Sequence, residues 1–399
     1  MIISIDVMKK LLIILICLLF PINVFASNFE IKSKSAIVVN RETDEILYEK
    51  EKDLKLPIAS LTKIMTVMIS LENINSLSDT VVVNSNDISN LLGYQVIGLT
   101  NGIEVSYKDL IYSTLLYSAA DSAKVLSNNV FNKYDDFINK MNELANRIGM
   151  ENTNFSNPIG FDKDNYSSSY DLYKLLEYAL DNETFYDIFT TKNYKMESLD
   201  KSINNNLNSM IDSNNLKRNN ISFDGFKGGY TKTSGLSLGA ITKIDGNELI
   251  IVTIGAMGEI DSKKNIIDAL NILSNIKDNY SNRVILANDK LVDNIIYKDG
   301  EKEISYEIRS PKTLNYYMNN SLDLNYLKIF YEGTTIINED VKEGDKLGKV
   351  SVYYEDKLLD NVDIKFNKKY LVKDSKNYKN ILIFVCICLL GLIVFRKRK

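Results

Sequence analysis

The chain has no histidine and no tryptophan among its 399 residues. Without histidine, a Ser-His-Asp or Cys-His catalytic site is impossible. Zinc sites built on imidazole and histidine pH switches are excluded for the same reason. Any acid–base chemistry must therefore use Lys, Tyr, Asp or Glu side chains.

Cysteine and proline are also scarce, at three and four residues. The cysteines Cys17, Cys386 and Cys388 all lie in apolar runs near the ends of the chain. The body of the protein therefore has no disulfide framework, no thiolate metal site and no cysteine nucleophile. No internal repeat and no long Pro- or Gly-rich linker is found.

Charge of neither sign dominates. The chain has 48 Lys and Arg residues and 52 Asp and Glu residues, which gives a net charge of −4. No general attraction to nucleic acid is expected from this balance. The hydrophobic fraction of 45% and the charged fraction of 25% are ordinary for a globular protein with an ample core. The length favours two or three domains.

The N-terminus has the pattern of a secretory signal peptide, which we predict over residues 1–26. Lys9 and Lys10 precede the apolar run 11–20, and Ala26 ends a small-residue cleavage site. A buried core strand is the alternative, but it would not need the two lysines.

The C-terminus carries a second apolar run, 381–395, followed directly by the basic residues 396–399. The run is shorter than the ~20 residues that span a bilayer comfortably, but snorkelling lysines or local thinning could cover the difference. Because positive charge stays cytoplasmic, we predict a transmembrane anchor that leaves the body of the protein outside the cell. A core helix is the alternative.

Between the two ends, the hydrophobic pattern predicts a mixed α/β domain over residues 27–280. Segments 35–40 and 45–49 form a predicted hairpin, and strand patterns return at 236–242 and 248–257. A polar Asn- and Ser-rich stretch, 204–220, predicts a surface excursion. Apolar residues at helical spacing predict five helices: 60–72, 107–116, 122–131, 135–148 and 262–280.

From 284 to 372 the pattern changes to short alternating stretches separated by turn signals at 298–300, 331–333 and 343–345. Alternation with a period of two residues is typical of strands that bury one face. This region therefore predicts a small all-β domain, with no evident chemistry of its own.

The segment Ser60-Leu-Thr-Lys63 opens the first predicted helix. Positions i and i+3 share a helix face, so the hydroxyl and the amine can meet. The positive end of the helix dipole favours an oxyanion at Ser60. Burial and a nearby second cation would have to lower the pKa of Lys63 before it could act as a base. By itself this motif is weak evidence, because many helices contain it by chance.

The surroundings make the motif specific. Five segments follow one another in a familiar order: the hairpin residues 36–49, Ile58-Ala-Ser60-Leu-Thr-Lys63-Ile-Met-Thr66, Leu115-Leu-Tyr-Ser118-Ala-Ala120-Asp121-Ser-Ala, Thr153-Asn-Phe-Ser-Asn-Pro158-Ile-Gly-Phe161 with Asp171-Leu, and Asp224-Gly-Phe-Lys227-Gly-Gly229-Tyr-Thr231. Together they resemble the penicillin-binding D-alanyl-D-alanine carboxypeptidases, over nearly the whole chain. The resemblance implies an α/β (α+β) catalytic domain with the β-lactamase/transpeptidase-like fold, followed by the small all-β domain.

The resemblance also implies a role for each site residue. Ser60 would be the acyl-ester nucleophile and Lys63 its proton acceptor. Ser118 would pass the proton to the leaving group, and Lys227 would hold the terminal carboxylate of the substrate. Backbone N–H groups of Ser60 and of the strand after Lys227 would form the oxyanion hole. No metal and no cofactor is expected.

Three positions depart from the family's pattern. Ala120 stands where Asn is usual, Gly228 where Thr is usual, and Ile159 where His is frequent. Ala120 lacks an amide that would orient Lys63 and the substrate, and Gly228 lacks a hydroxyl that would bond the substrate carboxylate beside Lys227. Each of these two lost hydrogen bonds could cost about 1.5–3 kcal/mol, or one to two powers of ten in rate. We expect an active enzyme that is slow or altered.

The leading hypothesis is a serine-type carboxypeptidase that removes the terminal D-Ala from peptidoglycan stem peptides, with β-lactams as covalent inhibitors. A catalytically reduced penicillin- or peptidoglycan-binding scaffold is the alternative, since Ala120 and Gly228 weaken the site. A β-lactamase fits poorly with a membrane tether and a second domain.

Overall fold

The computed structural model describes residues 30–131 and 133–372. The predicted signal peptide, 1–26, and the predicted anchor, 381–395, lie outside these residues. Within the part of the chain that is described, no helix is both long and apolar enough to cross a membrane. The chain divides into two compact units, the first ending at Asp278 and the second beginning at Asn279.

The first unit is built on a five-stranded antiparallel sheet with the spatial order β2-β1-β5-β4-β3. Its strands β1 and β5 are buried along their whole length, whereas β3 forms an edge of the sheet. The five strands are β1 Ser35–Asn40, β2 Glu45–Lys50, β3 Gly225–Thr231, β4 Gly235–Ile244 and β5 Asn247–Ala256. Short two-stranded pairs lie outside this sheet: Leu56–Pro57 with Tyr166–Ser167, Thr80–Val82 with Glu104–Ser106, and Asn193–Met196 with Lys201–Asn204.

The described residues of the chain form eight α-helices, the first of which is α1, Thr62–Asn73. Helix α1 is buried from Thr62 to Ser70, as expected for a helix that is enclosed on all sides by other elements. Helices α2 to α5 all contact it. The helices are α1 Thr62–Asn73, α2 Tyr107–Leu116, α3 Ala120–Asn129, α4 Tyr134–Arg147, α5 Ser169–Leu180, α6 Glu183–Thr190, α7 Leu207–Ser213 and α8 Lys264–Asn279.

Two expectations for this unit need correction. Ser60 does not open an α-helix but lies in a 3-10 turn, Ala59–Leu61, directly before α1. The polar stretch 204–220 contains the short helix α7, whose apolar residues Leu207 and Ile211 are buried. The stretch is polar overall, but its apolar residues Leu207 and Ile211 stand at positions i and i+4, which is the spacing of one helix face.

The second unit contains strands and two short 3-10 turns, and no α-helix begins between Asn279 and 372. Its core includes the buried residues Tyr306, Val350, Val352 and Phe366. The signal at 331–333 is not a turn, because these residues end a strand. The strands are Tyr280–Leu286, Leu291–Asp299, Lys302–Arg309, Leu314–Asn319, Leu327–Gly333, Ile336–Asn338, Lys346–Tyr354 and Lys357–Lys365.

Candidate active site

A cavity of about 650 Å³ in the first unit is lined by all four predicted site residues, Ser60, Lys63, Ser118 and Lys227. They come from separate elements: the turn before α1, α1 itself, the connection between α2 and α3, and the edge strand β3. The fold therefore brings together side chains that are far apart in the sequence.

Ser60 and Lys63 are in direct contact. Nζ of Lys63 lies 2.9 Å from Oγ of Ser60 and donates to the carbonyl oxygen of Ile159 at 3.2 Å. Ala59 adopts a left-handed conformation with φ +48, which turns the chain into the 3-10 turn and the helix. A non-glycine residue in this region costs about 1–2 kcal/mol, and such strain concentrates at functional sites.

Lys63 is only 2% exposed. Burial lowers its pKa from 10.5 to about 7, against an opposing effect of the Asp121 carboxylate. A lysine with this pKa is neutral in half of the molecules near pH 7. It can therefore accept a proton from the neighbouring hydroxyl.

Ser118 and Lys227 form a second contact in the same cavity. Nζ of Lys227 donates to Oγ of Ser118 at 2.8 Å and to the carbonyl oxygen of Gly228 at 3.1 Å. Ser118 also has a positive φ, +63. Burial, and then the charge of Lys63, hold the pKa of Lys227 well below its ordinary value. The cavity thus holds two buried amines, each beside a serine hydroxyl.

The Thr153–Phe161 segment packs against the Ala59–Thr66 stretch. Oδ1 of Asn157 accepts from the N–H groups of Ile159 and Gly160 at 3.1 and 2.8 Å. Thr66 of α1 donates to the carbonyl oxygen of Pro158 at 2.6 Å. This turn presents the Ile159 carbonyl oxygen to the amine of Lys63.

Asp121 has a role that the sequence did not indicate. Its buried carboxylate accepts hydrogen bonds from the backbone N–H groups of Ile97, Gly98 and Leu99, at 2.9–3.0 Å. It thereby fixes the loop that supplies Tyr94 to the cavity. The available signal was a carboxylate directly after Ser118-Ala-Ala120, in the first turn of α3.

Tyr94 and Phe161 meet at the cavity, with ring centroids 4.3 Å apart. They come from two different loops, one fixed by Asp121 and the other by Asn157. Phe161 was part of a predicted segment, whereas nothing in the sequence singled out Tyr94.

The three unusual positions all line the cavity. Ala120 is 1% exposed, and its N–H donates to the carbonyl oxygen of Gln95 at 2.8 Å. Ile159 contributes its carbonyl oxygen to Lys63, a contact that does not depend on its side chain. At Gly228, an added Cβ would meet no heavy atom of the described residues within 4 Å.

Comparisons with known proteins show the family to which the chain belongs. A family model described as D-alanyl-D-alanine carboxypeptidase matches residues 23–258. The chain belongs to this family. The D-alanyl-D-alanine carboxypeptidase DacF of Bacillus subtilis is 25% identical to the chain over 334 residues, which cover 82% of this chain and 83% of that protein. The D-alanyl-D-alanine endopeptidase of Escherichia coli is 36% identical over 152 residues, 38% of this chain and 48% of that protein. The chain thus matches about half the length of the endopeptidase.

Solved structures with the same fold include penicillin binding protein 5 from Haemophilus influenzae, with a TM-score of 0.64 and 21% identity, which covers 85% of this chain and 98% of that one. A peptidoglycan synthesis regulatory factor (PBP3) from Streptococcus pneumoniae has a TM-score of 0.67 and 19% identity, over 86% of this chain and 100% of that one. The predicted family and fold class are confirmed, and so is a hydrolase of the serine-peptidase class that acts in peptidoglycan metabolism.

Proposed function

We propose that this protein removes the terminal D-Ala from peptidoglycan stem peptides through an acyl-enzyme on Ser60. The observation that carries the proposal is the pair formed by Ser60 Oγ and the buried, pKa-lowered amine of Lys63. β-Lactams would acylate the same oxygen and inhibit the enzyme.

In this mechanism, Lys63 takes the proton of Ser60 while Oγ attacks the carbonyl carbon of the penultimate D-Ala. The C–N bond to the terminal D-Ala breaks, and Ser118 passes a proton to the leaving amine. Water then hydrolyses the ester and regenerates the Ser60 hydroxyl. Two buried serine–lysine contacts that share one cavity support this division of roles.

The substrate itself would adjust the charges of the two amines. A carboxylate beside Lys227 favours the protonated form of that lysine. A positive charge on Lys227 then opposes protonation of Lys63 and keeps the base ready for proton transfer. Binding of the terminal carboxylate is thus coupled to activation of the nucleophile.

The direct test is incubation of the purified protein with a stem pentapeptide and measurement of released D-alanine. Release at a catalytic rate supports the carboxypeptidase. Stable labelling by penicillin without D-alanine release would favour the binding or scaffold alternative, and rapid turnover of penicillin would favour a β-lactamase.

The pH dependence of acylation tests Lys63 as the base. We expect the second-order rate of penicillin acylation to rise about tenfold per pH unit below a midpoint near pH 7 and to level off above it, since only the neutral amine accepts a proton. Stopped-flow rates from about pH 5 to about pH 9 measure this. Lys63→Arg, which stays protonated throughout, should be inactive over the whole range. A native midpoint near the ordinary lysine value would contradict the assignment.

We propose an extracytoplasmic location, with the chain tethered by the predicted anchor 381–395. The apolar run and the basic residues 396–399 support this. A variant that ends at Lys373 should be found in the soluble fraction and still bind penicillin, whereas the full chain should sediment with membranes. Retention of the truncated protein by membranes after signal cleavage would place the anchor elsewhere.

A further inference from the structure

Edge strand β3 presents different residues to the two faces of the sheet. On one face, a Cβ at Gly229 would lie 3.2 Å from the backbone nitrogen of Ser60, so this face meets the nucleophile. Lys227 shares that face, since side chains alternate along a strand. Gly228 therefore faces the other way.

The start of helix α8 lies on the face of the sheet that contains Gly228. Gly228 lies opposite Leu238 of β4, which in turn lies opposite Thr253 of β5. Oγ1 of Thr253 donates to the carbonyl oxygen of Asn265 in α8 at 3.4 Å. The position beside Lys227 thus opens toward a different part of the cavity from the one that holds Ser60.

Apolar residues line this part of the cavity beside Asp261, Lys263 and Asn265, which come from the same stretch of chain as Ile260 and Ile266. It is lined by Leu236, Leu238 and Ile266, which are buried, and by Ile260, which is 59% exposed. Because Gly228 has no side chain and an added Cβ would have open space around it in the described structure, residue 228 itself leaves this space unfilled. Phe226 and Tyr230, which share its face of β3, line the cavity on either side of it. The space is continuous with the cavity that holds the serine–lysine pairs.

We propose that the space over Gly228 is a pocket for the side chain of the leaving amino acid, and that the enzyme accepts stem peptides ending in a D-amino acid with a large aliphatic side chain, such as D-leucine. This deepens the proposed carboxypeptidase function and rests on it. The terminal carboxylate at Lys227 brings the last Cα next to residue 228. A substrate that runs along the free edge of β3 sends alternate side chains to alternate faces.

Two substrates separate this pocket from the rest of the reaction. Peptides of diacetyl-L-Lys-D-Ala-D-Ala and diacetyl-L-Lys-D-Ala-D-Leu form the same acyl-enzyme on Ser60. Deacylation is therefore identical, and the ratio of their kcat/KM values reports only how the leaving residue is bound during acylation.

We expect the native enzyme to use the D-Leu peptide at least as well as the D-Ala peptide. Gly228→Val and Gly228→Thr, which fill the space, should each lower the D-Leu to D-Ala ratio tenfold or more. Gly228→Ser adds a hydroxyl with little bulk and should lower the ratio less than threefold. Thermal melting of each variant verifies that it is folded.

Three results would overturn the inference. One is a native ratio below one tenth. Another is a ratio that Gly228→Val leaves unchanged. The third is a D-Leu to D-Ala ratio that falls in Gly228→Ser and Gly228→Thr but not in Gly228→Val. The hydroxyl, and not the filled space, would then be the cause. If one of these three results is found and the native protein still cleaves the D-Ala peptide, the carboxypeptidase function stands and only the pocket is refuted. If it cleaves neither peptide, the proposed function fails and the inference fails with it.

Discussion

Replacement of Ser60 by alanine is expected to abolish covalent penicillin labelling and to reduce D-alanine release at least about 10⁴-fold, as loss of the nucleophile does in serine hydrolases. The Oγ atom of Ser60 would form the bond that defines the acyl-enzyme, and no other hydroxyl of the described cavity lies within contact of Lys63. Mass spectrometry of the penicillin-treated protein measures the adduct directly.

The fold should survive this change. Ser60 is only partly buried, and the amine of Lys63 retains its contact with the Ile159 carbonyl oxygen. Ser89→Ala, which removes an exposed hydroxyl outside the cavity, is the matched control and should label like the native protein. An adduct of unchanged yield in Ser60→Ala would move the nucleophile to another residue, and peptide mapping would identify it.

Much of the candidate site could be predicted because its motifs are local. Helix α2 has the predicted bounds, 107–116, since a serine cap at Ser106 accepts from the N–H of Asp109 and an apolar stripe follows. The spacing between Ser60 and Lys63 places both on one side of the chain, whether the first turn is 3-10 or α-helical. A contact between two side chains three residues apart can therefore be predicted without knowledge of the tertiary structure.

The remainder depends on contacts between distant segments, which a single sequence does not encode in any local pattern. Asp121 binds backbone N–H groups more than twenty positions earlier in the chain, and Tyr94 meets Phe161 from a different loop. Burial of Lys63 depends on the same assembly. The amine is surrounded by elements that fold around α1, so the cause of its lowered pKa is tertiary.

Gly160 makes such a contact between distant segments. We expect its replacement by alanine to have the second large effect on penicillin acylation. Its φ is +80, and a Cβ at this position would overlap the carbonyl oxygen of Ala59 and Oγ1 of Thr62, which stand on either side of Ser60 in the sequence. The Ile159–Gly160 turn therefore approaches the Ser60 segment as closely as it does because residue 160 has no side chain.

Gly160→Ala should move this turn away from α1, withdraw the Ile159 carbonyl oxygen from Lys63 and lower the rate of penicillin acylation at least about 100-fold, since misplacement by ~1 Å has that effect on reacting groups. The left-handed conformation alone costs about 1–2 kcal/mol and overpacking about 1–3 kcal/mol more, so the unfolding midpoint should fall as well.

Gly102→Ala separates these two causes. Gly102 has nearly the same φ, +84, but an added Cβ there would meet nothing within 4 Å in residues 30–131 and 133–372. The free energy of unfolding of Gly102→Ala, measured with denaturant, should fall by the conformational cost of about 1–2 kcal/mol. Its rate of penicillin labelling should stay within about threefold of the native rate. If Gly160→Ala instead labels as fast as Gly102→Ala, the turn can retreat without disturbing Ser60 and Lys63. The close approach of the two segments would then serve folding and not the position of Lys63.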